Sequence, residues 1–418
     1  MTEGETRPRS TARHRLPPAR LRAPDYPLIL TIVALLSFGL IMVYSASVVT
    51  AYTTYGNQFY YLTRQAINAV VGLALMLILM RLDYHYLGAL SLPGLVAAVA
   101  SLLVVLLPGV GNEVYGAQRW IRLFGFQFQP SEFAKLAFII YMSHWFAEKR
   151  EQVRDFVYGF LPFVLLLAIV MALLLKQPDM GTASVIAVTA ISIYFTAGAH
   201  PLQLGALLAA SALALVPLIR MAPYRMARVL AFLDPWERPL GNGYHVVQSL
   251  MALGAGGLTG VGLGVGRQKF LYLPFPHTDS IFAVIGEELG LAGTVGVLLL
   301  FVFFAYRGLR IAWYAPDLFG RLLASGVTCG IVFQALINVG VLTSSVPFTG
   351  ITLPFISAGG SSLITTLASC GILLSISRHT LSPHDQPRSA QRRHFWRRYG
   401  RPHLPGFGRR PRFAGRPA

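Results

Sequence analysis

Charge is scarce in this sequence. Asp, Glu, Lys and Arg make up 12% of its 418 residues, about half the roughly 25% of an ordinary soluble protein. A soluble fold of that length needs far more polar surface. A disordered chain would not carry 54% hydrophobic residues. Cysteine is almost missing. Cys329 and Cys370 sit in apolar runs, so they read as small core hydrophobes rather than a redox pair, a metal site or a disulfide framework. Also lacking are a phosphate-binding P-loop, a dinucleotide fingerprint, zinc-ligand spacing and a hydrolase elbow, which leaves an ATP-driven transporter unsupported. No inverted repeat of the kind many transporters carry is visible.

Long apolar runs are abundant. Ten lie at about 27–49, 62–80, 85–107, 131–147, 158–175, 181–198, 202–220, 281–305, 322–342 and 357–377, close to the roughly 20 residues that a span requires. The first is too long, and lacks a small-residue cleavage site, to be a removable signal. Residues 244–265 are also apolar, but six glycines between Gly254 and Gly264 argue against a continuous lipid-exposed helix. The fold expected is therefore all-α, an integral membrane protein of about ten transmembrane helices with a large loop, 221–280, between helices 7 and 8.

Of the net charge of +18, +12 lies in residues 1–26 and 379–418, which hold sixteen Arg against four acids. These Pro/Arg-rich ends cannot bury enough apolar surface to fold alone. They read as solvated tails beside anionic lipid rather than nucleic-acid binders. Ten spans put both tails on one side, and the positive-inside tendency makes that side cytoplasmic. The loop 221–280 then lies outside, with Arg225, Arg228, Arg238, Arg267 and Lys269 on it, which points to an anionic ligand at the outer face.

Five constellations carry chemistry. Arg119-Trp120 is followed by Pro130-Ser131-Glu132, which reads as a helix start with a hydroxyl cap and an early acid. Lys135, one turn into that apolar helix, must pair, snorkel or meet a ligand. Lys176-Gln177-Pro178-Asp179 is a polar turn, read either as a Lys176/Asp179 pair at the headgroups or as a substrate contact. His277-Thr278-Asp279 runs into a span. Asp279 either caps that helix or is a carboxylate at the water–membrane boundary, able to act as general base or hold a divalent cation. Glu287-Glu288 sit deep in the same span and must face a cavity or a partner. Gln334 and Asn338, four apart, share a helix face and are candidate partners. Ser357-Ala358-Gly359-Gly360-Ser361 allows close packing, or a loop whose amides meet phosphate.

Together these segments, in this order over residues 27–378, resemble the SEDS family (shape, elongation, division and sporulation). Phe232-Leu233-Asp234-Pro235-Trp236-Glu237, Arg267-Gln268-Lys269-Phe270 and Thr349-Gly350-Ile351-Thr352-Leu353-Pro354 are similar to its division branch, FtsW, more than to RodA. The resemblance implies a peptidoglycan glycosyltransferase that polymerises lipid II at the outer face of the bacterial plasma membrane. It implies support by Mg²⁺ or Mn²⁺ and no nucleotide. It also implies a class B penicillin-binding protein and other division or elongation proteins as partners. The family's essential acid maps onto Asp279. Phe275, Ser280 and Ala358 depart from the family pattern, which more often has Glu, an aromatic and Tyr at those positions.

The mechanism these residues allow has Asp279 taking the proton from an acceptor sugar hydroxyl. That oxygen then attacks the donor's anomeric carbon with inversion. The leaving pyrophosphate meets cations drawn from Arg119, Lys135, Lys176, Arg225, Arg267 and Lys269, with His277, Thr278 and Ser361 as further contacts. Trp120, Glu132, Glu287, Glu288, Gln334 and Asn338 are supporting candidates. An elongation polymerase, a lipid II flippase and a division scaffold remain alternatives. Charged groups crowd the outer side, which favours outer-face chemistry over a path through the bilayer.

Overall fold

The computed structural model describes residues 22–107, 112–114, 117–123, 126–237, 239–241 and 243–380. Expectations for Arg238 and for most of the Arg-rich tails lie outside them. The described chain is mostly helical. Its helices are α1 Tyr26–Tyr55, α2 Tyr60–Arg81, α3 His85–Ala89, α4 Ser91–Val105, α5 Pro130–Glu148, α6 Leu161–Lys176, α7 Met180–Thr196, α8 Pro201–Arg220, α9 Pro223–Leu233, α10 Tyr244–Gly256, α11 Ile281–Tyr314, α12 Leu318–Leu342 and α13 Gly360–His379. A π-helical turn, Phe156–Phe160, leads into α6.

Each of the ten expected apolar segments is helical. Seven helices (α1, α2, α6 with its π turn, α8, α11, α12 and α13) are long and apolar enough to cross a membrane, and α4 and α7 are shorter apolar helices. The tenth segment is α5, which carries Glu132 and Lys135. The start signals are local. Asp25 caps α1 by accepting from Leu28 N at 3.0 Å, with Pro27 in the first turn.

Two features depart from the expectation of helices alone. Between α4 and α5 the chain forms a small antiparallel sheet of β1 Asn112–Val114, β2 Ala117–Leu123 and β3 Phe126–Phe128, in the order β1-β2-β3. Ile121 pairs with Phe128 across β2 and β3. The second departure is in α11. Gly290 has φ 65° and ψ −159°, so the helix breaks there. The backbone groups freed by the break are taken up by the Gly-rich segment after α10. Val261 N donates to Glu287 O, and Leu291 N donates to Gly257 O. Irregular backbone at this depth is tolerated because protein covers it. This is why residues 244–265 are one short helix and a loop, not a span.

The core lies along α12 and α13. The latter is buried from Ser361 to Ser377 apart from Ile364, and its Ser, Thr, Ala and Cys side chains let neighbouring helices approach closely. Helix α8 is the opposite case. Leu207 is its one buried residue, and Leu202, Leu208, Leu213 and Val216 are exposed. A helix apolar on all sides and exposed on nearly all of them is suited to lipid.

Candidate active site

The loop before α11 is laid along the loop between α12 and α13 by hydrogen bonds to its main chain. Ala358 N donates to His277 O at 2.9 Å. Ser357 Oγ donates to Thr278 O at 2.7 Å. Asn338 Nδ2 donates to Asp279 O at 2.9 Å and to Ile351 O at 2.7 Å. Ala358 acts here through its backbone, which any side chain at that position leaves in place. The cap residue of α11 is Ser280, without a side-chain cap bond. Asp279 is therefore not a helix cap.

The Asp279 side chain is part-buried, and its carboxyl oxygens accept no hydrogen bond from any described residue. Burial pushes its pKa up to about 6. The charges of Arg119 and Arg228 pull it down, and that of Asp179 pushes it up. Gly350 leaves room beside it, since a Cβ there would lie 3.3 Å from Asp279 Oδ2.

Three elements bring the charged neighbours. Arg119 projects from β2, and its guanidinium donates to the carbonyls of Gln177 (3.0 Å) and Pro178. Arg228 comes from α9. Its Nη1 donates to Phe348 O at 3.4 Å, and the guanidinium lies 5.4 Å from the Phe348 ring centroid. Burial and Arg119 lower the pKa of Arg228. Asp179 caps α7, accepting from Thr182 N at 3.2 Å and from Ser131 Oγ at 2.8 Å. Ser131 was expected to cap α5. Instead its hydroxyl serves Asp179, and Gln129 stands at the cap position with no side-chain cap bond, its amide Nε2 donating to Asp179 at 3.3 Å.

The other sequence candidates divide by what they touch. Lys135 pairs with Glu132 at 2.7 Å and donates to Gln334 Oε1 at 2.5 Å. Thr365 Oγ1 donates to Glu132 at 3.2 Å. Gln334 and Asn338 thus serve Lys135 and the Asp279 loop, not Glu287 and Glu288. Those two acids hold the loop that follows α10. Glu288 pairs with Lys269 at 2.7 Å and accepts from Ser45 Oγ and Gly264 N. Glu287 accepts from Arg267 N at 2.7 Å and from Gln268 N. Lys269 is 1% exposed and its ammonium is fully engaged. Arg225 is likewise buried, donating to the carbonyls of Leu218 and Leu175. Arg267 and Lys176 are exposed, and among the described residues no ion pair joins Lys176 to Asp179. Trp120 is half-buried. His277 is buried against Tyr61, ring centroids 4.1 Å apart, and burial lowers its pKa to about 4. Thr278 Oγ1 bonds within its own turn. Ser361 Oγ is buried without a partner among the described residues.

Of the cations proposed from sequence, the structure thus brings Arg119 to Asp279 and commits Lys269 and Arg225 elsewhere. Two residues act on the same carboxyl that the sequence did not single out for it: Asp179, read as part of a polar turn, and Arg228, read only as one cation of the outer loop. The signal for Arg228 was present. It follows Arg225 by three residues in a helix whose other face, Met226, Leu230 and Leu233, is apolar.

The family model of the FtsW/RodA/SpoVE cell cycle proteins matches residues 26–382. The chain belongs to this family. Among its relatives is the "Probable peptidoglycan glycosyltransferase FtsW" of Geobacter metallireducens, 45% identical over 353 residues, which are 84% of this chain and 94% of the relative. Another is the stage V sporulation protein E of Bacillus subtilis, 43% identical over 358 residues, 86% of this chain and 98% of the relative. Among solved structures, this family member matches the Thermus thermophilus rod shape determining protein RodA with a TM-score of 0.63. The two are 30% identical, over 86% of this chain and 98% of the other. A chain from a peptidoglycan synthase complex, described as coordinating polymerisation and crosslinking, matches with a TM-score of 0.70. It is 33% identical, over 85% of this chain and 98% of the other.

Proposed function

We propose that this family member is a peptidoglycan glycosyltransferase of cell division, polymerising lipid II into glycan strands at the outer face of the plasma membrane. The observation that carries the reading is the Asp279 carboxyl. It accepts no hydrogen bond from the described residues and feels the charges of the Arg119 and Arg228 guanidiniums, at the end of the bundle where α11 begins and α12 stops. A carboxylate held in this way is free to take a proton. Asp279 removes it from the acceptor sugar's hydroxyl, and that oxygen displaces undecaprenyl pyrophosphate from the donor's anomeric carbon with inversion. Negative charge grows on the leaving pyrophosphate. Preorganised guanidiniums stabilise it there, and removing one such contact typically costs about 10²–10³ in rate.

A divalent cation fits the site in one way. Among the described residues no cluster of three or more His, Cys, Asp or Glu side chains is placed to hold a metal ion. Mg²⁺ is commonly held by one or two carboxylates together with substrate phosphates, and Asp279 offers the free carboxylate. The ion would supply further positive charge to the pyrophosphate. The exposed apolar sides of the helices keep the polyprenyl tail in the bilayer while the sugars reach Asp279. Both Arg-rich tails are then cytoplasmic. Similarity to a chain of a complex that couples polymerisation to crosslinking supports a class B penicillin-binding protein, a cross-linking enzyme, as partner.

The test is lipid II polymerisation by the chain with its cognate class B penicillin-binding protein, as wild type and as Asp279→Asn, with Mg²⁺ or Mn²⁺. Glycan strands from the wild type and none from a folded Asp279→Asn support the reading. Equal product from both removes Asp279 as the base. Lipid II binding without product from either moves the function to lipid transport.

A further inference from the structure

The segment carrying Asp279 is closed into a turn by its own last residue. Ser280 Oγ donates to Pro274 O at 2.7 Å, and Ser280 N donates to Phe275 O at 3.3 Å. Phe275 is held at φ 51°, a left-handed conformation that costs a non-glycine residue energy and persists only where surrounding contacts enforce it. A contact on this turn comes from α10. His245, in its first turn, places Nε2 2.8 Å from Ser280 Oγ. The hydroxyl has a single proton and spends it on Pro274 O. Ser280 Oγ must therefore accept, and His245 Nε2 must carry the hydrogen. Burial, with Arg228 nearby, lowers the His245 pKa to about 4, so the ring stays neutral and in that role at ordinary pH.

The same ring has a second neighbour. Its centroid is 4.2 Å from that of Phe348, whose ring and carbonyl also hold the Arg228 guanidinium. His245 thus touches both supports of the site, Ser280 beside Asp279 and Phe348 under Arg228. We propose that His245 is a positioning residue for glycosyl transfer, fixing the Asp279 carboxyl against the Arg228 guanidinium through Ser280 and Phe348. It also gives Ser280 a use, since an aromatic ring at that position puts no oxygen where Ser280 Oγ meets His245. The proposal rests on Asp279 acting as the base.

The experiment uses the full chain with its cognate penicillin-binding protein in liposomes. The variants are Asp279→Asn, His245→Ala, His245→Gln, Ser280→Ala and the His245→Ala/Ser280→Ala double, each checked for monodispersity and thermal unfolding. Initial polymerisation rates are followed against lipid II concentration and pH. Small displacements of a reacting group can cost up to about 10²-fold. The expected result is a fall in kcat of roughly 10-fold for each alanine single variant with little change in KM, and a double variant no worse than the worse single. His245→Gln, which keeps an N–H donor, retains most of the activity. Burial is the main cause of the raised Asp279 pKa, so a loosened loop moves the acidic limb of the profile to lower pH.

Unchanged rates in His245→Ala while Asp279→Asn is inactive overturn the proposal and leave the base reading intact. Independent, multiplying effects in the double variant overturn it too, as does lost activity with an unmoved acidic limb, which is the mark of packing alone. Activity in Asp279→Asn instead removes the base reading on which the proposal stands.

Discussion

Asp279 differs from a surface carboxylate in two opposed ways. Burial favours its protonated form, and two guanidiniums favour its charged form. The net is a pKa raised to about 6. A general base must be ionised to accept a proton, so activity is lost as pH falls through that value, not near pH 4 where an exposed carboxylate titrates. The rate of polymerisation measured from pH 4.5 to 8 should therefore show an acidic limb near pH 6. A limb near 4 would mean that the titrating group is solvated, unlike Asp279. The sign of the Arg228 effect gives a second expectation. Arg228 pulls the Asp279 pKa down, so Arg228→Met should move the limb to higher pH as well as lower the plateau. Arg267→Met serves as comparison, because Arg267 is exposed and is not among the charges that perturb Asp279. A limb that stays in place in Arg228→Met would show that Arg228 acts on substrate alone.

Within single elements, the clearest division of labour is between α11 and the loop that precedes it. The break at Gly290 exposes backbone, the segment 257–262 covers it, and Glu287 and Glu288 tie down the chain from Gly264 to Lys269. Removing one partner of a buried ion pair costs about 3–5 kcal/mol because the other is left uncompensated. Lys269→Met should therefore lower the thermal unfolding temperature of the detergent-solubilised protein sharply, and adding Glu288→Gln should recover much of the loss. A Lys269→Met protein of normal stability but poor activity would instead return Lys269 to the substrate. Gly260 is a further test of the same clamp. It has φ 81°, and a Cβ there would come within 2.2 Å of Glu288 O, so Gly260→Ala should destabilise by forcing the loop off the helix.

This is also where sequence reasoning reached its limit. The ten helical segments were legible, because twenty apolar residues in a row have few alternatives. The glycines after Gly254 correctly spoke against a span. Asp279 stood out as an acid beside a span. The partners of Glu287 and Glu288 did not show, because Ser45, Gly264 and Lys269 come from segments joined only by the fold. The sheet around Arg119 was missed, since β1 and β3, the partners of the seven-residue β2, have three residues each and leave too short an alternation to see. Asp179 read as a turn residue, and it is one, but its place near Asp279 depends on how α7 meets β2.

Across the whole molecule, polar chemistry is sorted to the two ends of an apolar bundle. One end gathers Asp279, Arg119, Arg228 and Asp179. At the other, Asp25 pairs with Arg307 at 2.5 Å, Tyr84 donates to Asp317, and Arg378 donates to Met80 O at 3.0 Å. The helices between them leave many leucines and valines exposed, as lipid requires. In the proposed orientation the Arg-rich residues 1–26 and 379–418, both joined to the second end, put that end in the cytoplasm, as the positive-inside tendency favours. On that proposal the site end faces out, toward the sugars of lipid II. Cysteine labelling in intact cells tests this directly. Cys370 is buried and Cys329 is partly so, within α12, which keeps the background low. An impermeant maleimide should label Thr343→Cys, exposed at the site end, and should leave Arg150→Cys, exposed at the other, unlabelled until the cells are opened. The reverse pattern would put Asp279 in the cytoplasm and end the outer-face polymerase reading, whatever the local geometry around the carboxyl.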